Sequence, residues 1–376
     1  MRTRIGELFG NEIPLFAFTR SREVVVEVSK AGGFGVLGAV AMTPEELSRD
    51  LVWIDEHVEG KPYGVDIVMP KSYVGSEQGD FQEADLQKMV PEQHRAFVEG
   101  MLDRYAVPKL PEGAPAPPSL LGWTYSAARQ QVEIALRHPI KLLVNALGPP
   151  PPDVIAHAHE KGVKVAALVG TVAQAKTQVE AGVDIIVAQG TEAGGHTGEI
   201  GTMVLVPDVV DAVHPVPVLA AGGIGSGRQM AAAIALGADG VWTGSIWLSV
   251  SESGSPQVLV DKILRADSSD TVRSKCISGK PARQLKTAWT EAWDGKGSPG
   301  TLPMPLQYMA VSDATARIYH AAPQETSRAK ELLGTPVGQI VGRMKEVRTT
   351  RETVTAIARE ADEVITRLRE LLAAGR

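Results

Sequence analysis

Asp184-Ile-Ile-Val-Ala188 runs into Gln189-Gly-Thr-Glu-Ala-Gly-Gly-His-Thr-Gly198, and Val216-Pro-Val-Leu-Ala220 runs into Ala221-Gly-Gly-Ile-Gly-Ser-Gly227. A third run, Gly240-Val-Trp242, ends in Thr243-Gly-Ser245. Each apolar run is too short for a helix and rich in β-branched residues, which reads as a buried strand. The alanine-rich residues 228–236 between the last two read as a helix. Strand, loop and helix therefore alternate, with glycines just beyond the strands. In a parallel α/β protein that end holds the ligand.

The same alternation extends in both directions. Residues 12–18, 34–37, 63–68, 142–145 and 163–168 read as five earlier strands, which with 184–188, 216–220 and 240–242 make eight. Helices are expected between them, at 21–30 and 43–57 among others. Thr43-Pro44-Glu45-Glu46 supplies an N-cap, a proline at N1 and a glutamate at N3. Lys161-Gly-Val-Lys, Ala181-Gly-Val-Asp and Leu236-Gly-Ala-Asp repeat one junction, with glycine ending a helix just before a strand. Repeated βα units point to a (β/α)8 TIM barrel, with a doubly wound sheet as the alternative that unbroken alternation disfavours.

Strands three and four are separated by roughly 70 residues, where a βα unit needs ~20–30. Residues 69–124 therefore read as an insertion after strand three. It has a helix at 91–105 and an extended linker at 108–118, and a second helix at 125–137 follows it. Residues 256–266 read as a helix and 278–305 as irregular. From Thr349 a long helix opens with a Thr349–Glu352 capping box. Its stripe Val354, Ile357, Ala361, Val364, Leu368 and Leu371 is expected to pack on the barrel. The expected division is a barrel over 1–310 and a C-terminal helical extension over 311–376.

A net charge of −6 argues against a nucleic-acid binder. The single Cys276 rules out an internal disulfide and suits a reducing compartment. No apolar leader opens the chain and no run of about 18 apolar residues interrupts it. These features lead to the expectation of a cytoplasmic protein with no membrane span, its self-association left open.

In a barrel, 221–227 and 243–245 are the loops after strands seven and eight. Barrels bind phosphate there through backbone N–H groups and a helix N-terminus. Gly222, Gly223 and Gly244 would allow close backbone approach, and Ser245 offers a hydroxyl; the bland alternative is tight turns. His196, among Gly194, Gly195 and Gly198, sits at the end of strand six and would reach the mouth as a proton acceptor near pH 7. An exposed loop histidine is the competing reading. Only Glu192 lies at metal-ligand spacing from His196, so no metal is expected. Cys276 could be a nucleophile but has no histidine partner in sequence, and reads as a buried or surface thiol. Gly222–Gly227 lacks the dinucleotide fingerprint.

At these loops the chain resembles the nitronate monooxygenases, formerly 2-nitropropane dioxygenases, whose superfamily includes FMN-dependent enoyl-thioester reductases. The resemblance is carried by Ala188-Gln-Gly-Thr-Glu-Ala-Gly-Gly-His-Thr-Gly198, Ala220-Ala-Gly-Gly-Ile224 and Val241-Trp-Thr-Gly-Ser245. Ala31-Gly-Gly-Phe-Gly-Val-Leu-Gly38, Ser278-Gly-Lys-Pro-Ala-Arg283 and a weaker echo at Val337-Gly-Gln-Ile-Val-Gly342 add to it. It implies FMN in the mouth, with Gln189 and Gly194 at the flavin. Gly222 and Gly223 would hold its phosphate with Gly244 and Ser245 beside it, and Asp66 stands where the family has Asn. It implies His196 as the active-site histidine. The implied reaction is oxidative denitrification of an alkyl nitronate with O2. The alternatives are NAD(P)H-dependent reduction of an acyl thioester and, in another class, a flavin-free phosphate-binding barrel. Ala17-Phe18-Thr19 replaces the family's Ala-Pro-Met, and the 69–124 insertion lies outside its pattern.

Overall fold

The computed structural model describes residues 3–40, 42–69, 83–113 and 125–374. Eight parallel strands close into a ring: β1 (Leu15–Thr19), β2 (Phe34–Gly38), β3 (Tyr63–Asp66), β4 (Leu142–Asn145), β5 (Lys164–Val169), β6 (Ile185–Gln189), β8 (Val218–Ala221) and β9 (Gly240–Thr243), which pairs back with β1. The fold is the (β/α)8 TIM barrel expected from the alternation. The two-residue β7 (Gly195–His196) stands outside the ring.

Successive strand residues point to opposite faces. Phe16, Phe34, Leu142, Ile185, Leu219 and Trp242 fill the interior, while Leu15, Ala17, Leu37 and Val65 face the helices. α1 (Arg4–Phe9) closes the lower end, its Phe9 ring 4.9 Å from Phe34 and 5.9 Å from Phe16. The glycines of the repeated junctions, Gly162, Gly182 and Gly237, all have positive φ, as helix-ending residues there require.

Seven helices cover the strands: α2 (Arg22–Lys30), α3 (Pro44–His57), α6 (Tyr125–Ala135), α7 (Pro152–Glu160), α8 (Val172–Glu180), α9 (Thr202–Val213) and α10 (Gly227–Ala235). The chain then departs through α11 (Gln257–Arg265), and the place beside β9 is taken from far along the sequence. α15 (Thr350–Ala374) packs against both α10 and α2, the helices flanking that place. The approach is close: a Cβ on Gly227 would lie 2.3 Å from the Ile357 carbonyl oxygen and the Ala361 nitrogen. The Thr349–Glu352 capping box is present. The expected stripe docks only through Val354, Ile357 and Ala361; Leu368 and Leu371 lie past the barrel edge, exposed.

The insertion does not stand alone. α4 (Glu83–Met89) and α5 (Glu92–Arg104) pack on α13 (Leu306–Ala321), with Leu86 and Val90 against Leu306 and Met309. Phe97 meets Trp293 edge-on at 4.9 Å. Buried Arg317 bonds Glu99 and the carbonyls of Val107 and Pro108. α12 (Ala288–Asp294) and α14 (Ala329–Leu332) complete this helical module. Two expectations change. Residues 278–305 are not irregular, since they contain β11 (Ala282–Leu285) and α12, and the boundary at 310/311 falls inside α13. Residues 114–118 of the linker expected at 108–118 lie outside the described residues. No helix among the described residues is long and apolar enough to cross a membrane.

Candidate active site

Asp66 ends β3, Gln189 ends β6, and Gly222, Gly223, Gly244 and Ser245 follow β8 and β9, so the barrel brings them all to its C-terminal mouth. Phe18 forms part of the floor, its ring 6.3 Å from Trp242.

On the β8–β9 side the backbone is shaped for an anion. Gly222 has φ 105°, and a Cβ on it would press within 2.7 Å of Thr202 Oγ1, so only glycine fits. Gln229 holds the loop that follows, accepting from Gly225 N and Ser226 Oγ while donating to the Gly223 carbonyl. Among the described residues, the N–H groups of Gly223, Gly244 and Ser245 meet no acceptor. The Ser245 hydroxyl oxygen accepts from Gly338 N at 2.8 Å. One expectation is corrected. The N-terminus of α10 does not face an open anion site, because Gly227 N already donates to Glu360 Oε2 of α15 at 2.7 Å. The helical start left open is the 3-10 turn at Ser245–Ser249.

Asp66 lies across the ring, three strands from β9, and not beside the glycine loops after β8 and β9. It is buried, its Oδ1 has no hydrogen-bond partner among the described residues, and burial pushes its carboxyl up to about 7. The neighbouring Asn145 amide is committed to Met69 N, Met69 O and Gly148 O. Asp66 is thus a polar group without a mate at the mouth.

His196 does not hang in a free loop. β7 pairs with β11, which pairs with β10 (Thr271–Ser274), placing Ala282 opposite His196 and Arg283 opposite Gly195. His196 Nε2 lies 2.7 Å from Ser278 Oγ, which also accepts from Lys280 N at 3.3 Å. Arg283 Nε donates to Thr191 O at 2.8 Å and Arg273 Nη2 to Thr197 O at 3.1 Å, bracketing the histidine loop. Burial first, and then the nearby Lys280 ammonium, lower the imidazole to about 4. It is therefore neutral at pH 7.

The glycine at 194 is explained by packing, since a Cβ would lie 2.8 Å from Gly338 N and the Val337 backbone. Glu192 is not a ligand but caps α9, accepting from Thr202 N and Oγ1. No group of three His, Cys, Asp or Glu suited to a metal occurs among the described residues. Cys276 is buried and its thiol is pushed up to about 11, which suits an inert core residue. Ser278, Lys280, Arg283 and Gly338 emerge as site residues that spacing alone did not reveal. Their only sequence signal was the Ser278–Arg283 and Val337–Gly342 motifs.

A barrel with glycine loops, a buried carboxyl and a seated neutral histidine at its C-terminal mouth is an enzyme of the (β/α)8 class. Within that class the chain belongs to the nitronate monooxygenase family, whose model, described as "Nitronate monooxygenase", matches residues 17–360. It is 52% identical over 374 residues to the protein named "Putative monooxygenase Rv1533" of Mycobacterium tuberculosis, covering 99% of this chain and 100% of that one. It is 30% identical to the "Probable nitronate monooxygenase" of Staphylococcus saprophyticus, over 76% of this chain and 79% of that one. Among solved structures, the nitroalkane oxidase of Streptomyces ansochromogenes superposes with a TM-score of 0.78 at 24% identity, covering 97% and 99% of the two chains. That likeness establishes the shared fold. The chain is an oxidoreductase of the nitronate monooxygenase type.

Proposed function

We propose that the mouth binds FMN and that the enzyme oxidatively denitrifies alkyl nitronates with O2. The residues fit the cofactor. The N–H groups of Gly223, Gly244 and Ser245 would form a cradle for a phosphate, and Asp66, with its unpartnered Oδ1, and Gln189 stand at strand ends where a ring edge needs polar partners. An Asp near half-protonation at pH 7, remote from the phosphate loops, can accept from or donate to that edge without the repulsion an ionised carboxylate beside a phosphate would bring. FMN, when bound, supplies the two-electron chemistry and the reaction with O2.

The observation that carries the substrate reading is His196 held neutral in its small sheet. A neutral imidazole can take a proton from a nitroalkane or hydrogen-bond a nitronate oxygen. With its conjugate acid near 4 it has little driving force to deprotonate a neutral nitroalkane, so the preformed nitronate is the better substrate. The competing reading, NAD(P)H-dependent reduction of an acyl thioester, draws on the helical module. That module packs against the His196 sheet through Gln307, whose Nε2 donates to Cys276 O, and offers a wall longer than a nitronate needs. Anaerobic bleaching of the bound flavin separates the two. Bleaching by propyl-2-nitronate without nicotinamide is the expected result; bleaching by NADH or NADPH alone installs the reductase reading instead.

A further inference from the structure

The sheet that carries His196 is built from cations. Arg273 and Arg283 stand directly opposite each other on β10 and β11, an arrangement that costs stability for like charges. Each has its work in the loop: one bonds Thr197 O, the other Thr191 O. Glu199 lies 3.9 Å from Arg273 but is 89% exposed at its side chain, which screens little, and the Glu192 carboxylate acts on Arg283 while committed to Thr202. Lys280 occupies the turn between the two strands. It is half-buried, and among the described residues its ammonium has neither an ion pair nor a hydrogen bond. Half-buried lysines are ordinarily paired or reach water. Its turn is fastened to the histidine itself, since one oxygen, Ser278 Oγ, bonds both His196 Nε2 and Lys280 N.

We propose that Lys280 is the anion-recognition residue of this site, its ammonium pairing with the charged oxygens of the substrate beside His196. The inference rests on the nitronate reading and narrows it: the site selects substrates already carrying a negative charge, and selects them by binding. A charge pair in a partly enclosed site is strengthened over one in water, whereas a neutral nitroalkane would gain little from the ammonium.

The test uses the FMN-loaded protein and isobutyrate, an unreactive planar carboxylate of the size of propyl-2-nitronate, titrated while the flavin spectrum is followed. Lys280→Gln is expected to weaken isobutyrate about tenfold and to raise the KM for propyl-2-nitronate by a similar factor. The kcat should change much less. Lys280→Arg should restore most of the affinity. Lys280→Gln should also move the acidic limb of kcat/KM to higher pH, because one of the groups holding His196 down has gone. A merely structural lysine would lower kcat and FMN affinity along with anion affinity, and would not confine the loss to anion binding and KM. The proposal is overturned if isobutyrate binds Lys280→Gln as it binds the wild type, or does not bind the wild type at all. It is also overturned if FMN affinity falls by the same factor as anion affinity, which would assign the ammonium to the flavin. Should propyl-2-nitronate not be oxidised while isobutyrate binding still depends on Lys280, the nitronate reading fails and the anion site stands.

Discussion

The barrel and the small sheet over its mouth are built on opposite principles. Seven of the barrel's eight neighbouring strand pairs join barrel strands consecutive along the chain, and every strand but β9 is covered by a helix of its own βα unit. The β7–β11–β10 sheet joins His196 to a serine 82 residues away, and sets two arginines opposite each other beside buried Leu285. The barrel is stabilised by burial, which tolerates exchange of one apolar side chain for another of similar size. The sheet is held by a few directional bonds to carbonyls, each of which leaves a buried group unmated if lost. Stability should therefore concentrate in the first region, and the precision of the histidine in the second.

The sharpest way to break the barrel is where α15 closes its outer wall. Gly227→Leu drives a side chain into the α15 backbone, where even a Cβ would stand 2.3 Å from Ile357 O. A loss of at least ~4 kcal/mol is expected, read as a collapse of the urea midpoint or the absence of folded protein. A near-normal midpoint would mean that α15 is not an integral wall.

The small sheet should fail differently. Arg283→Met removes the bonds to Thr191 O and Thr271 Oγ1, at a cost of ~2–3 kcal/mol. Because it frees the His196 loop, it should lower kcat about a hundredfold while FMN still binds. Equal losses of flavin affinity and turnover would contradict the division of labour.

How far each region could be read follows from the same contrast. The eight strands and the junction glycines were legible because apolar runs and helix-ending glycines are local signals, and Gly162, Gly182 and Gly237 adopt the positive φ their position implies. The loops bearing Gly222, Gly223, Gly244 and Ser245 were legible for the same reason. The seat of His196 was not: β11 is a strand only because β7 and β10 flank it, and nothing in Ala282–Leu285 announces those partners. Likewise, the arrest of the α15 stripe after Ala361 depends on where the barrel ends, which no heptad count contains.

Asp66 offers a pH test between the two regions, because it is a polar group embedded at the barrel's edge. Its carboxyl is raised to about 7 by burial, above the unfolded value near 4. The native state therefore favours the protonated form. The contribution is fully present below pH ~4 and is lost as pH rises through about 7. In the flavin-free protein, Asp66→Asn should be the more stable form at pH 8 by ~2–3 kcal/mol, with a gap that narrows sharply at pH 5. Urea midpoints at the two pH values measure it. A pH-independent gap would place Asp66 in contact with a cation or with water.

The smallest effect expected is also the one that joins the two kinds of construction. Glu360 brings a carboxylate from α15 to the first turn of α10, bonding Gly227 N at 2.7 Å and Arg228 Nε at 2.8 Å. It closes the barrel by a directional bond, directly behind the loop proposed to hold the FMN phosphate. Its two effects oppose each other. As a cap it stabilises α10, so Glu360→Gln should cost about 1 kcal/mol, seen as a drop in Tm of a few degrees. As a negative charge at the positive end of α10 it cancels part of the field that an incoming phosphate would feel. Glu360→Gln should therefore bind FMN two- to fivefold more tightly at low salt, and the advantage should fade as ionic strength rises. Fluorescence quenching of free FMN during titration of the apoprotein reads this directly. A variant that loses stability and flavin affinity together would show Glu360 acting on the loop through order alone. Opposite signs would show that closing the barrel at this point is achieved at some expense to the phosphate site.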